Sequence, residues 1–196
     1  MKTTERNAQT SRVVFVLFLC AGILILPEPS HAQAAAKSRS AGSAAPVVLP
    51  GARVEATLAQ LMRGTLYPAS NVIFAAQNDN PATVPPAKDP GTALNLLASS
   101  YGQWGAVENS GLALAEVANL LLLPGRKCSN GLPVPLNNPD WPKFVQGLRE
   151  AGMAVYKAAQ SKNQDNILMA ADTMTTACSN CHDKWREKPN LADRCK

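Results

Sequence analysis

Four stretches of the chain carry apolar residues at alternating spacings of three and four, the period of a helix with one face turned to a core. The first runs from about residue 54 to 76, with Leu58, Met62, Thr65, Ala69 and Val72 on one stripe and Pro68 predicting a kink. The second spans about residues 92–123. Leu94, Leu97, Tyr101, Trp104, Glu108, Gly111, Ala115, Ala118 and Leu122 share a face there, and Pro124-Gly125 ends it. In the third, Asp140 fits the N-cap and Pro142 the first turn, and Phe144, Leu148, Ala151, Val155 and Ala158 line the inner face. The fourth begins near Asp165 and places Ile167, Ala171, Met174, Cys178, Cys181 and Trp185 at spacings of 4, 3, 4, 3 and 4.

The connections hold Pro81, Pro85, Pro86 and Pro90, then Gly131, Pro133, Pro135 and Pro139, and so break helix rather than continue it. Alanine and leucine are abundant and β-branched runs are few, which favours helix, and no internal repeat is visible. Four amphipathic helices joined by connections of modest length predict an all-α domain, an antiparallel up-down-up-down four-helix bundle. It covers residues 54–187 and is followed by a short tail, residues 188–196.

Ahead of that domain the pattern changes. A basic segment with Lys2, Arg6 and Arg12 leads into an apolar run from Val13 to Leu26, then Pro27 and the small residues around Ser30-His31-Ala32. This is the layout of a secretory signal peptide over residues 1–32, cleaved after Ala32 or Ala34. Its apolar run is shorter than the ~17 residues needed to span a bilayer, so no membrane span is expected after processing. Cys20 is simply one apolar residue of that run. Residues 33–53, rich in Ala, Ser, Gly and Pro, read as a flexible tether. The predicted location is the periplasm.

The chemistry concentrates in Cys178-Ser179-Asn180-Cys181-His182. C-x-x-C-H is the attachment motif of c-type haem: two thiols one turn apart form thioethers, and the adjacent imidazole is fixed where it ligates iron. A redox dithiol usually accompanies a βαβ pattern that is missing here, and a four-ligand zinc site needs a second ligand pair. Both cysteines fall on the core-facing seam, so one covalent haem is expected inside the bundle, near the C-terminus of its last helix. Loss of the leader removes His31 and leaves His182 as the single histidine. Any sixth ligand is then a methionine, a weaker donor or an exogenous molecule.

Depth along the helix axes selects among the methionines. Met62 lies ~12 Å into the first helix and His182 ~8 Å from the end of the fourth, within reach of one haem. Met153 and Met169 lie ~20 Å from the needed level, and Met174 shares the helix and side of His182. Met62 is therefore the expected distal ligand, although a methionine on a helical stripe also serves as core filling and would leave the distal site open or blocked.

The run Ala177-Cys178-Ser179-Asn180-Cys181-His182-Asp183-Lys184-Trp185-Arg186, near the end of the last of four helices, resembles the class II c-type cytochromes. That family comprises cytochrome c prime and its methionine-ligated low-spin relatives. The resemblance covers about residues 54–187, and only the haem motif is highly specific. It implies the same bundle, a methionine ligand from the region of Met62, and a basic residue four positions after the haem histidine. Arg186 stands at that position, which the resemblance puts near the proximal haem face or a propionate. A solvated charge complementing the helix dipole is the plainer reading of Arg186. The stretch from Leu61-Met62-Arg63 to Pro68 is similar to a first-helix pattern of class II-like proteins. Some relatives dimerise, which leaves a homodimer open.

Two further cysteines, Cys128 after the second helix and Cys195 after the fourth, are brought by this topology to the haem end. A disulfide and two free thiols both stay open, because spacing does not give the Cα separation. The chain carries a formal charge of +5, of which the leader contributes one unit. Arg53, Arg63, Arg126, Lys127, Lys143, Lys184, Arg186, Lys188, Arg194 and Lys196 outnumber Glu55, Asp140, Asp183, Glu187 and Asp193 at the haem end. Such a collar suits an acidic redox partner protein, and nothing points to nucleic acid. The expected function is one-electron carriage rather than enzymatic turnover, with a five-coordinate, gas-binding protein like cytochrome c prime as the alternative. A peroxidase is poorly supported, since no second histidine is left to act as distal base.

Overall fold

A computed structural model describes residues 51–195, and the expected leader and most of the expected tether lie outside them. Among the described residues four long helices make up the domain, and the only bridge pairing joins Lys127 to Pro133. None of the helices is long and apolar enough to cross a membrane.

Helix α1 is continuous over three pieces: Leu58–Leu61, a π-helical turn Met62–Leu66, and Tyr67–Asn78. Its start is set by a capping box. Thr57 Oγ1 accepts from the Gln60 N–H and Gln60 Oε1 accepts from the Thr57 N–H, which satisfies two otherwise orphaned donors. The chain accommodates Pro68 ahead of the ring. Pro68 has no N–H for the Gly64 carbonyl, and the Tyr67 N–H reaches back five residues to the Met62 carbonyl.

Helix α2 runs Gln103–Leu120, well short of the expected 92–123. The residues before it form short 3₁₀ turns, Pro90–Thr92 and Leu96–Ala98, the latter capped by Asn95, whose side chain accepts from the Leu97 N–H at 3.0 Å. Asparagine competes for backbone donors and so favours such turns over helix. Gly102 completes the break, since a Cβ there would collide with the Leu97 carbonyl oxygen. The upper part of the expected stripe is accordingly lost: Leu94 is fully exposed and Tyr101 81 % exposed, whereas Leu97 and Trp104 remain in the core.

Helix α3 spans Asp140–Ser161 with Pro139, not Asp140, at the N-cap; Asp140 is its first helical residue. A left-handed Lys162 ends it, and Asn163 caps helix α4, Gln164–Trp185, by accepting from the Asn166 N–H. The packing closes a ring in which α1 touches α2 and α4, α2 touches α3, and α3 touches α4. At one end the Leu58 N–H donates to the Lys127 carbonyl at 2.8 Å, and Trp141 Nε1 donates to Leu121 at 3.1 Å. At the other, Gln164 Nε2 donates to the Ala76 carbonyl at 2.6 Å. Ile73, Val107, Ala118, Ala151, Val155, Ile167, Ala171 and Met174 are fully buried between them.

The closest approach is backbone on backbone. A Cβ on Gly111 would sit 2.7 Å from the Tyr156 nitrogen, and one on Gly152 would sit 2.7 Å from both the Ala115 nitrogen and the Gly111 carbonyl oxygen. No rotamer relieves such a clash, so Gly111→Ala should cost about 1–3 kcal/mol by forcing α2 and α3 apart. Gly147→Ala, on α3 with nothing within 4 Å of its Cβ, should instead gain about 0.5–1 kcal/mol from helix propensity. Thermal denaturation of the two variants beside the parent checks both signs.

Candidate functional site

A cavity of about 310 Å³ opens at the end of the domain where α1 begins and α4 finishes. All four helices contribute to its wall. Leu58, Ala59, Met62, Arg63, Leu66, Tyr67 and Ser70 come from α1, Leu114 and Leu121 from α2 and the residue after it, and Trp141, Phe144, Val145 and Leu148 from α3. Helix α4 supplies Ala177, Cys178, Cys181, His182 and Trp185; Arg186 follows it, and Cys195 returns from the tail.

Every residue singled out from sequence for this chemistry lines that one cavity: Cys178, Cys181, His182, Arg186 and Met62. Cys178 and Cys181 are half-buried free thiols on the α4 seam, between buried Met174 and Trp185. Met62 is half-buried on the α1 wall. Arg186 is more exposed, at the rim, and its guanidinium pairs with Glu187.

The π turn explains how α1 serves the site. The α1 lining falls on rows of strict four spacing, Leu58, Met62, Leu66 and Ser70 beside Ala59, Arg63 and Tyr67. In a pure α-helix, at about 100° per residue, Leu58 and Ser70 would diverge by about 120°. Five residues in a turn closed by i→i−5 bonds advance by roughly 80° each and bring them back to within about 30°. The expected stripe through Thr65 is thereby corrected: Leu66 is the buried residue and Thr65 is off the cavity wall.

Protonation follows from burial. Desolvation, aided by the charge of Arg186 and opposed by Glu187 and Asp183, lowers the pKa of His182 and keeps its imidazole neutral. The neutral ring is the form with a free lone pair for a metal. Desolvation raises Cys178, and the same effect with the neighbouring Cys178 pushes Cys181 up to about 11. These thiols sit at the C-terminal end of their helix and stay protonated, the reverse of the lowered pKa that activates a redox C-x-x-C. No cluster of three or more His, Cys, Asp and Glu side chains suited to a metal ion occurs among the described residues. The cavity thus brings two protonated thiols, an imidazole and a thioether together within a largely apolar chamber.

Three other features frame the site. Cys128 and Cys195 are joined as a disulfide, Cα atoms 4.9 Å apart, which settles the alternatives left open by sequence. Trp185 meets Trp141 edge-on at 6.1 Å, while Lys184 and Lys188 lie 5.5 Å and 5.2 Å from its ring centre. The expected basic collar loses Arg126. The residue is buried, and its guanidinium donates to the Ala56 carbonyl at 2.6 Å and the Leu120 carbonyl at 3.1 Å, tying the segment before α1 to the end of α2. Lys143 and Lys184 are also partly neutralised, since both pair with Asp140.

Sequence reading missed Arg63, Tyr67 and Ser70 as wall residues, and the four-residue spacing that marks them is a signal only once the π turn is known. No protein-family model, curated protein or solved structure matches this chain.

Asp140 links the start of α3 to α4 two residues beyond His182. Hydrogen bonds to Lys184 and then Lys143 hold its carboxyl below the usual carboxylate range. An acid with a lowered native pKa stabilises the fold above its unfolded pKa and loses that contribution as pH falls through the native one. Asp140→Asn should therefore lower the melting temperature slightly at about pH 7, and the difference from the parent should vanish by about pH 2. Parallel melts across that range check it.

Proposed function

We propose that the chain is a periplasmic electron carrier of the class II c-type cytochrome kind, an up-down-up-down four-helix bundle with one covalent haem in the cavity. The observation that carries this reading is convergence. Cys178, Cys181 and His182 from the end of α4 and Met62 from the start of α1 line the same apolar chamber, though they lie more than a hundred residues apart in sequence.

Cys178 and Cys181 would hold the haem, each thiol adding its S–H across a vinyl group so that nothing leaves. Their protonated, half-buried state keeps them out of adventitious thiolate chemistry until then. His182 on the α4 wall would hold the iron through its neutral imidazole, and Met62 on the α1 wall through its thioether. Arg186 at the rim would offer a positive charge to a haem carboxylate. When bound, the haem supplies a one-electron couple between ferric and ferrous iron. Leu114, Trp141, Phe144, Val145 and Leu148 would exclude water around it, and ligation by methionine together with histidine would favour the reduced state. The Cys128–Cys195 bridge accords with an oxidising compartment. Among the described basic residues of the expected collar, Arg53, Arg63, Lys127, Lys188 and Arg194 make no ion pair and would be left to meet an acidic redox partner.

The attachment is tested by extraction. Haem should stay with the polypeptide through denaturation and acidic organic solvent, and the double substitution Cys178→Ala, Cys181→Ala should abolish this. Haem released freely from the parent protein would sink the assignment.

The ligand set is tested optically. The oxidised protein should be low-spin with a weak long-wavelength charge-transfer band, and the reduced protein should bind carbon monoxide poorly. Met62→Ala should open the site to water and carbon monoxide. A parent protein that is already high-spin and binds carbon monoxide readily, unchanged by Met62→Ala, would instead establish the gas-binding alternative.

A further inference from the structure

Three cysteines share the cavity wall: Cys178, Cys181 and Cys195. Two of them are free, and the third is bridged out of the chamber to Cys128. Chain statistics run against that arrangement. Cys195 is 14 positions from Cys181 and 17 from Cys178, but 67 from Cys128. Loop closure becomes rarer as roughly the three-halves power of length, so an unfolded chain brings Cys195 to Cys181 or Cys178 about tenfold more often than to Cys128.

The fold reverses the preference through one clamp. Asn130, two residues beyond Cys128, donates through Nδ2 to the Ala192 carbonyl at 2.8 Å and the Arg194 carbonyl at 2.9 Å. The tail is thereby held against the loop that carries Cys128, while the Cys195 N–H donates to the Trp185 carbonyl at 2.9 Å. That last bond sets Cys195 beside α4, one turn past Cys181. Without its partner, Cys195 needs to slide only about one helical pitch, ~5 Å, to meet that thiol.

We propose that Cys128, with Asn130, is a cysteine-sorting device: it sequesters Cys195 and so keeps Cys178 and Cys181 available as thiols for haem attachment. This rests on the haem reading above, but the pairing itself is independent of it. The chemistry balances as follows. Cys128 and Cys195 each lose a proton and together give two electrons to a disulfide-bearing oxidant. A mispaired Cys195 would consume one attachment thiol in the same two-electron step.

The test compares Cys128→Ala with the double variant Cys128→Ala, Cys195→Ala, both exported as full chains and digested without reduction for mass spectrometry. Glutathione disulfide serves as the oxidant wherever refolding is done in vitro. Cys128→Ala should show Cys195 linked to Cys181 or Cys178, with covalent haem at least about fivefold below the parent. The double variant, which lacks the same bridge but has no competing thiol, should recover haem to within about twofold. A merely structural bridge would leave the two variants alike, and Cys128→Ala carrying as much haem as the double variant with Cys195 alkylatable would overturn the proposal. Should Cys128→Ala fail to accumulate, Asn130→Ala keeps all four cysteines and asks the same question. A Cys195 link to Cys178 or Cys181 there supports sorting, and Cys128–Cys195 alone overturns it. If the parent carries no covalent haem, the electron-carrier reading falls, while the linked peptides still decide the sorting.

Discussion

Backbone contact between Gly111 of α2 and Gly152 of α3 is the constraint around which the domain is arranged. With no side chain between them, these helices approach to ordinary van der Waals distance, and the small residue Ala115 continues the seam. Ile73 of α1 and Ile167 and Ala171 of α4 are fully buried in the same core, and the chamber lined by all four helices opens at the end where α4 finishes.

The chamber has a chemically divided wall because α1 changes its pitch. A continuous α-helix would carry its cavity row away within two turns, and the π turn from Met62 to Leu66 keeps Leu58, Met62, Leu66 and Ser70 on the chamber wall. The cost is a weakened hydrogen-bond ladder beside Pro68, where a donor is missing in any case. Proline and π turn therefore share one defect instead of making two.

The same end of the molecule is fastened several times over. Arg126 joins the segment before α1 to the end of α2, Trp141 joins α3 to α2, Asp140 joins α3 to α4, and the disulfide with Asn130 joins the tail to the loop. Each fastening links elements that also carry wall residues, so the wall is positioned by bonds outside it. Such support matters where function depends on small displacements between two donors on different helices.

Helical class, the third and fourth helices, and the identity of Cys178, Cys181, His182 and Met62 as one group were legible in the sequence, because 3.6-residue periodicity and the C-x-x-C-H spacing are local properties of the chain. The expected second helix starts eleven residues too early and ends three too late: a run with Leu94, Leu97 and Tyr101 keeps the period, but Asn95 capping and the close approach at Gly102 break the helix through contacts that periodicity does not encode. The π turn was invisible for a related reason, since its benefit, keeping one row on the chamber wall, exists only once the other helices enclose that chamber. Arg126 reads as a surface charge until the carbonyls of Ala56 and Leu120, distant in sequence, surround it. The sequence by itself determined which residues have the chemistry of the site. Tertiary structure alone decided that Cys195 pairs with Cys128 and which α1 residues face the chamber, because both depend on distances between segments that no local spacing fixes.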